Sequence, residues 1–327
     1  MLAYIGKRIL QFIPVFIGVT LILFFFRAVV PGDPIKLIAG EKAMPDAIYE
    51  QIVKANHLDQ PIYVQYGYYM KDLFHGDLGT SYQRKTPVVD IFAKKLPYSA
   101  RLALCAILLE ILLGISAGII SAVKRYSFID ALVTVSTAAL ISVPAFWLGM
   151  MLQMFFGIFL KDATGGVFAL PISGAGGPTS DFPTWMHYIL PATTLAAVSL
   201  AYTARIMRSQ LLEVLNADYI RTALAKGLSR RAVIIKHALK NAMIPVITFI
   251  GIDFGVMISS AILTETVFNW PGIGSEIVRA IGQRDWPIVM GGVILIVVLI
   301  MLINLIVDVS YAAFDPRIRY GKKAGDE

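Results

Sequence analysis

The chain has 327 residues, of which 57% are hydrophobic and 16% are charged, and its mean hydropathy is +0.70. Soluble domains usually carry about 25% charged residues, so this composition argues against a soluble protein and indicates one that crosses a membrane several times. The net charge of +7 comes without a basic and aromatic module for nucleic acid, and the single cysteine, Cys105, excludes a disulfide within the chain.

Six stretches are long and apolar enough to cross a hydrocarbon core of about 30 Å, which takes roughly 20 residues in a helix. The first follows Lys7 and Arg8 but has no small-residue cleavage site after it, so we interpret it as an uncleaved anchor. The fourth is the shortest and most polar, and we expect it to pack inside the bundle. The predicted spans are 9–30, 99–123, 130–160, 188–204, 244–266 and 287–311.

These spans predict an all-α membrane protein in four parts. They are an N-terminal helix (1–30), an extracytoplasmic insertion (31–97), a membrane core (98–311) and a cytoplasmic tail (312–327).

The insertion carries helical signals. Pro45 and Asp46 predict a short helix through Val53, and an aromatic stripe recurs at helical spacing before "HGDLGTS" interrupts it. We expect the stripe to pack against the membrane domain; a docking or gating element is the alternative. Its members are Tyr63, Tyr66, Met70 and Phe74.

Two acidic residues lie within predicted spans. A charge in the middle of a membrane needs a partner, a watery path or a neutral form, so Glu110 and Asp253 are candidates for a translocation path. A structural hydrogen bond to a neighbouring helix or subunit is the alternative. Gln153 and Asn304 are expected to bond between helices, and the small residues of "GISAG" (114–118) to let helices approach closely.

Residues 218–245 read "DYIRTALAKGLSRRAVIIKHALKNAMIP" and lie in the cytoplasmic segment 205–243 and its continuation. The pattern predicts a helix over 217–226, a joint at Gly227, and a second helix that Ser229 caps. Pro245 would then open the next span. We expect the first helix to be exposed, with small Ala223 and Gly227 admitting a partner surface, and one face of the second to be buried through Ile235, Ala238, Leu239 and Ala242.

Lysine and arginine favour one orientation. With both termini in the cytoplasm, the inner side holds 16 basic residues and the outer side 13, eight of them in the long loop 31–97. Loops of that length count little in the positive-inside rule, so cytoplasmic N and C termini are predicted.

The chain carries no GxxxxGK[ST] or HExxH sequence and no long cytoplasmic domain for a catalytic site. "GISAG" (114–118) fits GxSxG, but it lies within an apolar span and not at the strand-to-helix turn that a serine hydrolase needs. A nucleotide-binding enzyme or an intramembrane hydrolase is therefore disfavoured. Three classes stay open: a subunit driven by another protein, a secondary transporter that uses Glu110 or Asp253 as a proton relay, and a channel or scaffold. No inverted repeat is evident, which disfavours the secondary transporter.

The basic segment resembles the cytoplasmic loop of binding-protein-dependent ABC importer permeases, whose pattern is Glu-Ala-Ala, three residues, Gly, nine residues and Ile-x-Leu-Pro. Arg221, Thr222 and Ala223 stand at the Glu-Ala-Ala position, and Gly227 is in register. His237-Ala238-Leu239 stands at Ile-x-Leu, and Lys240 replaces the proline.

The dipeptide, oligopeptide and nickel branch of that family is the closest in pattern. Besides "DYIRTALAKGL" and "HALKNAMIPVIT", the agreement includes "PGDPI" (31–35), "LDQPIYVQYGYYMKDLFHGDLGTS" (58–81), "LPYSARLAL" (96–104) and "ETVFNWPGIG" (265–274). These stretches occur in order over nearly the whole chain.

The resemblance implies a type I importer permease of the bacterial inner membrane, for peptides or, alternatively, nickel or another small solute. It implies a second homologous permease subunit, two cytoplasmic ATPase subunits that bind ATP and magnesium, an extracytoplasmic binding protein, and contact with membrane lipid, with no cofactor or catalysis in this chain. The residues implied to couple it to the ATPases are Tyr219, Arg221, Thr222, Ala223, Lys226 and Gly227.

Overall fold

A computed structural model of the protein describes residues 2–29, 45–55 and 57–314, in which the regular elements are helices. "PGDPI" and nearly all of the predicted tail, residues 312–327, lie outside these residues. The helices are α1 (Leu2–Val29), α2 (Asp46–Ala55), α3 (Ile62–Phe74), α4 (Val88–Val123), α5 (Phe128–Ser142), α6 (Ala145–Thr164), α7 (Ile189–Leu215), α8 (Asp218–Ala225), α9 (Arg230–Val267), α10 (Ile273–Gly282) and α11 (Trp286–Phe314).

Six of these helices are long and apolar enough to cross a membrane, which confirms the number of spans predicted from the sequence. They are α1, α4, α6, α7 with the 3-10 turn before it, α9 and α11. The fourth, Thr184–Leu215, has the most buried apolar stretch of the six, as its short and polar sequence predicted. The helix expected after Pro45 is also present, as α2.

The single span predicted over 130–160 is wrong, because two helices occupy that stretch. α5 ends at Ser142, Val143 adopts an extended conformation, and α6 begins at Ala145 after Pro144. Proline disfavours the helical conformation in the residue before it, and it cannot donate the hydrogen bond of a continuing helix. Apolar composition alone concealed this break.

The predicted start of the fifth span at Pro245 is also wrong. The helix that Ser229 caps runs on through Pro245 to Val267, so the second cytoplasmic helix and the span are one element, α9. One turn of π-helix, Ile234–Ala238, lies near its start, and similar turns occur at Glu110–Gly114 in α4 and Phe155–Phe159 in α6. Each π-turn contains one extra residue, so it rotates the buried and exposed faces of the part of the helix that follows it.

The described chain forms two compact units. The first comprises the described residues of 1–97 and 272–305, and the second those of 98–271 and 306–314. In the first unit, α10 and α11 pack very closely, because a Cβ on Gly292 would lie 2.5 Å from Ile277 and 2.6 Å from Phe92. Only glycine permits that approach.

Asp285 fixes the end of the insertion within the first unit. Its buried carboxylate accepts hydrogen bonds from the Ser81 hydroxyl at 2.5 Å and from the backbone N–H groups of Tyr82 and Gln83 at 3.0 and 3.2 Å. Glu276, also buried, pairs with Arg84, with Lys95 at 3.6 Å and with Arg279 at 3.7 Å. The loop before α4 is therefore tied to the start of α11 and to α10.

The aromatic stripe of the insertion packs only in part. Tyr66 stacks edge-on against Phe24 of α1, and its hydroxyl lies 2.9 Å from that of Thr20. Tyr63 and Phe74 are exposed, whereas Tyr69, which the stripe omitted, contacts Phe24. The expectation that the stripe packs against the membrane domain is therefore met by Tyr66 and is wrong for Tyr63 and Phe74.

The second unit is built around α7, which contacts α4, α5, α6 and α9. The small residues of "GISAG" make the predicted close approach, since a Cβ on Gly118 would lie 2.6 Å from the Ala204 carbonyl oxygen and from Met207. Gln153 bonds between elements as predicted, donating to the carbonyl oxygens of Ile172 at 2.7 Å and Val267 at 3.0 Å. Asn304 is half-buried in α11.

Candidate coupling and translocation sites

The candidate coupling element is α8, which has one buried face and one exposed face. Ile220 and Ala223 are buried in a core that α7 and α9 also line, with Met207, Leu211 and Val233 among its members. The i, i+3 spacing of the two buried residues places them on the same side of the helix. The opposite side of α8 is exposed. The helix is therefore held by the core on one side and accessible to another protein on the other.

Gly227 ends α8 with a Schellman motif. Its φ is +84°, its N–H bonds the Leu224 carbonyl at 2.9 Å, and the Leu228 N–H bonds the Ala223 carbonyl at 3.4 Å. Glycine tolerates this left-handed conformation, and the two bonds satisfy carbonyls that the helix end leaves open. Ser229 then caps α9 by accepting a bond from the Ala232 N–H at 3.3 Å. The predicted helix, joint and capped helix are confirmed.

A hydrogen bond ties the exposed side of α8 to α9. The Asn241 amide donates to the Tyr219 hydroxyl at 2.8 Å, and the Tyr219 side chain is 43% exposed. Arg221, Thr222 and Lys226 are exposed. With Leu224 and Leu228 they form a surface that mixes basic and apolar side chains.

Ala223 does not face a partner surface as expected. Its side chain is 8% exposed and lies in the core beneath α8, because it is one turn from buried Ile220. Gly227 is accessible, since nothing lies within 4 Å of where its Cβ would be. Of the pair, only Gly227 therefore leaves open space at the surface of the chain.

The buried face of α9 also differs from the prediction. Ala238 and Ala242 are buried and Leu239 packs against the same core, but Ile235 is 54% exposed. Val233 takes its place in the core. The π-turn at Ile234–Ala238 inserts an extra residue there, so a constant 3.6-residue period puts Ile235 on the wrong face.

Asp130 joins three helices next to the core beneath α8. Its carboxylate accepts from Arg208 of α7 through Nε at 2.7 Å and Nη2 at 2.8 Å, from the Ser121 hydroxyl of α4, and from the Tyr126 N–H at 2.9 Å. Bonds from the Arg208 guanidinium hold the pKa of Asp130 well below its ordinary value. The aspartate is therefore a permanent anion paired bidentately with arginine.

Glu110 is wholly buried in the π-turn of α4. One carboxyl oxygen accepts a bond from the Thr203 hydroxyl of α7 at 2.6 Å, and the other has no hydrogen-bond partner among the described residues. A buried polar atom without a partner is costly, and π-turns are frequent at functional positions.

Asp253 lies on α9, half-buried, and bonds to Ser199 of α7. Its Oδ2 atom is buried without a hydrogen-bond partner in the described part of the chain. The structure places both predicted acids against α7, since Glu110 bonds to Thr203 and Asp253 to Ser199. Ser199 and Thr203 are four residues apart, so one face of α7 holds both carboxyl groups.

Several residues of these sites escaped sequence reasoning. The hydroxyls of Ser199 and Thr203 had a signal, their four-residue spacing in the most polar span. No local pattern indicated the bond between Asn241 and Tyr219 or the pair of Asp130 and Arg208, because the partners lie 22 and 78 residues apart in sequence. Among the described residues, no three histidine, cysteine, aspartate or glutamate side chains are grouped as a metal site would require.

Two family models match the chain. Residues 114–320 match the model described as binding-protein-dependent transport system inner membrane component, and residues 1–103 match the N-terminal part of such components. The first match alone covers more than half of the chain and contains α8.

Curated relatives extend along nearly the whole sequence. The dipeptide transport system permease protein DppB of Escherichia coli (strain K12) is 40% identical over 339 residues, which cover 98% of this chain and 100% of the relative. DppB of Alkalihalophilus pseudofirmus is 41% identical, and the glutathione transport system permease protein GsiC of Escherichia coli (strain K12) is 40% identical, with the same coverage of both chains.

Two solved structures share the fold. A chain of the inward-facing MetNI methionine ABC transporter superposes with a TM-score of 0.53 and 15% identity, covering 69% of this chain and 97% of its own. A chain of an amino acid ABC transporter crystallised with histidines gives 0.50 and 14%, covering 70% and 94%. Six membrane helices, the α8 segment and these matches together show that the chain is a multi-pass inner membrane protein that belongs to the binding-protein-dependent transport system inner membrane component family.

Proposed function

We propose that this chain is the permease subunit of an ATP-driven importer and that α8 is where cytoplasmic ATPase subunits engage it. The observation that carries the proposal is the construction of α8. It is anchored by Ile220 and Ala223 and tied by Asn241 to Tyr219, so a force on its exposed face is passed to α7 and α9.

The partners of this subunit follow from what the chain lacks. The sequence carries no nucleotide-binding loop, so ATP and magnesium would be bound by two ATPase subunits on the cytoplasmic side. A second, homologous permease would complete the membrane domain, and an extracytoplasmic binding protein would deliver the substrate. This chain would then contribute no catalysis and no cofactor of its own.

Short peptides are the proposed substrate. The relatives that match over 98% of the chain are named as dipeptide, di/tripeptide and glutathione permeases. Nickel or another small solute is the alternative within the same family.

Asp253 and Glu110 are the proposed acidic groups of the path. Asp253 is half-buried and thus partly accessible at the surface of this subunit, whereas Glu110 is fully buried. We propose that Asp253 meets the substrate and that Glu110, acting through the hydroxyls of α7, sets the local charge.

Uptake into right-side-out vesicles tests the proposal. The vesicles would hold this chain with its candidate partners and enclosed ATP, and labelled dialanine would be supplied outside with the binding protein. We expect accumulation that requires ATP, magnesium and every partner chain. Nickel uptake under the same conditions is expected to be at background level.

The secondary-transporter alternative gives the opposite pattern. There, an imposed proton gradient would drive uptake in vesicles that contain this chain without ATPase subunits. Accumulation without ATP or partners would therefore refute the proposal.

A further inference from the structure

The first unit contains a cavity of about 400 Å³ that the coupling and translocation sites do not use. Its wall combines Arg27 at the end of α1 with Tyr69 and Asp72 of α3, Tyr82 of the following loop, and Trp286 at the start of α11. Three separate parts of the chain therefore meet around it.

One side of the cavity is suited to an anion. The Tyr69 hydroxyl is buried and has no hydrogen-bond partner among the described residues. Burial raises the pKa of Tyr69 and of Tyr82, and the positive charge of Arg27 acts on both hydroxyls in the opposite direction. Arg27 and these two protonated hydroxyls line the same cavity, so they can donate to one oxygen-rich group.

The remaining charges are balanced. Asp72 and Asp77 line the cavity, as do Arg27 and Lys85, so the wall carries two formal charges of each sign. Such a site favours a ligand with one anionic and one cationic group over a simple anion. His57 lies flat on Tyr68, with ring centroids 3.8 Å apart, and completes an aromatic wall.

The cavity lies where two spans end. Arg27 is the last residue of the first apolar span, and Trp286 is the first residue of the sixth. Tryptophan, tyrosine and arginine are enriched at the level of lipid headgroups. The neighbouring surface of α1 is apolar and exposed, with Phe25 at 63%, Phe26 at 60% and Ile22 at 57%.

We propose that this cavity binds the headgroup of a zwitterionic phospholipid of the phosphoethanolamine type. Arg27, Tyr69 and Tyr82 hold the phosphate, Asp72 faces the ammonium group, and the acyl chains lie along the exposed apolar surface of α1. The lipid thereby fastens α1 to α3 and α11 at the membrane surface. The proposal does not depend on the transported substrate.

Lipid binding to the purified full chain tests this. Native mass spectrometry would follow the binding of phosphatidylethanolamine, with phosphatidylglycerol for comparison. We expect tighter binding of phosphatidylethanolamine and an affinity about tenfold lower in Arg27→Gln and Tyr69→Phe, the size expected for losing one charged or buried hydrogen bond. Lys71→Gln, on the same helix but outside the cavity, is the control and should bind as the wild type does.

Tyr69→Phe separates ligand binding from folding. In lipid-free detergent this variant should be at least as stable as the wild type, because it removes a buried hydroxyl without a partner. Only the stabilisation that phosphatidylethanolamine adds should be lost.

Competition identifies the ligand. Soluble glycerophosphoethanolamine should displace the lipid, and inorganic phosphate at the same concentration should not. Equal lipid binding by wild type and Arg27→Gln would overturn the proposal. So would displacement by dialanine at micromolar concentration, which would make the cavity a peptide site, or displacement by inorganic phosphate, which would make it a general anion site.

Discussion

Gly227 shows how one backbone angle shapes the proposed coupling site. At φ +84° it reverses the chain between α8 and α9 and leaves an open surface where a side chain would be. That conformation costs a residue with a Cβ about 1 kcal/mol, and it costs asparagine less. Substitutions at this position can therefore separate the effect of side-chain size from the effect of backbone strain.

We predict that Gly227→Trp lowers ATPase association and transport about tenfold, as a loss of roughly 1.4 kcal/mol would do, while membrane insertion is unchanged. The indole would occupy the space that a docked partner needs. Co-purification with the ATPases and vesicle uptake are the measurements. Gly227→Asn, which keeps the left-handed cap with a small side chain, is the control and should retain most activity; wild-type behaviour of Gly227→Trp would contradict the docking role.

Asp253 and Glu110 give a second prediction at this scale. If Asp253 meets the substrate, Asp253→Asn should lower transport about tenfold with little change in the yield of assembled complex. Transport per assembled complex is the quantity to measure. Thr248→Ala, on the same helix, removes a hydroxyl that bonds within α9, so it serves as a control. Lost assembly with normal transport per complex would instead assign Asp253 a packing role.

Among the elements, the joint at Asp130 connects α4, α5 and α7. We predict that Asp130→Asn destabilises the protein by about 3 kcal/mol, because it leaves the Arg208 guanidinium without its buried partner. Thermal unfolding in detergent measures the loss. Asp218→Asn is the matched control: Asp218 is 97% exposed, its contact with Arg221 is 3.6 Å, and its replacement should leave stability unchanged.

The pH dependence of that joint has a definite sign. A carboxyl whose folded pKa is lowered adds stability that is fully present above its ordinary pKa and is lost progressively as the pH falls from there through the lowered value. The contribution of Asp130 should therefore be constant between about pH 5 and pH 8. A stability difference between wild type and Asp130→Asn that shrank within this range would contradict the assignment.

Elements were predictable where one local rule decides them. Apolar length gave the number of spans, Gly227 marked the end of α8 and Ser229 the start of α9, and the small residues of "GISAG" gave a close helix contact. Errors arose at Pro144, which breaks a helix, and at Pro245, which does not. The sequence does not distinguish them, because packing against neighbouring helices decides whether a proline-containing helix continues.

The sites were predictable in part for a similar reason. Charge in an apolar stretch identified Glu110 and Asp253, and local spacing identified α8. Their hydrogen-bond partners are set by tertiary packing over up to 93 residues, which no local pattern records. Whether a small residue such as Ala223 faces inward also depends on that packing.

For the whole molecule, the orientation in the membrane is the main prediction still to be measured. The chain has a single cysteine, so Cys105→Ser provides a background for labelling with an impermeant maleimide. Lys226→Cys should react only after the membrane is permeabilised, whereas Tyr63→Cys, 73% exposed in the insertion, should react in intact cells. Reaction of Lys226→Cys in intact cells would place α8 outside and refute its coupling to ATPases.

The continuity of α9 has a mechanical consequence. Its 38 residues span about 57 Å without a loop, and Asp253 lies roughly 35 Å along the axis from Arg230. Because no loop interrupts α9, a displacement of α8 by a partner would tilt, shift or rotate the whole helix that carries Asp253. A tilt of only about 10° about one end would move the other by roughly 10 Å, so a modest rotation at one membrane face is enough to displace side chains at the other.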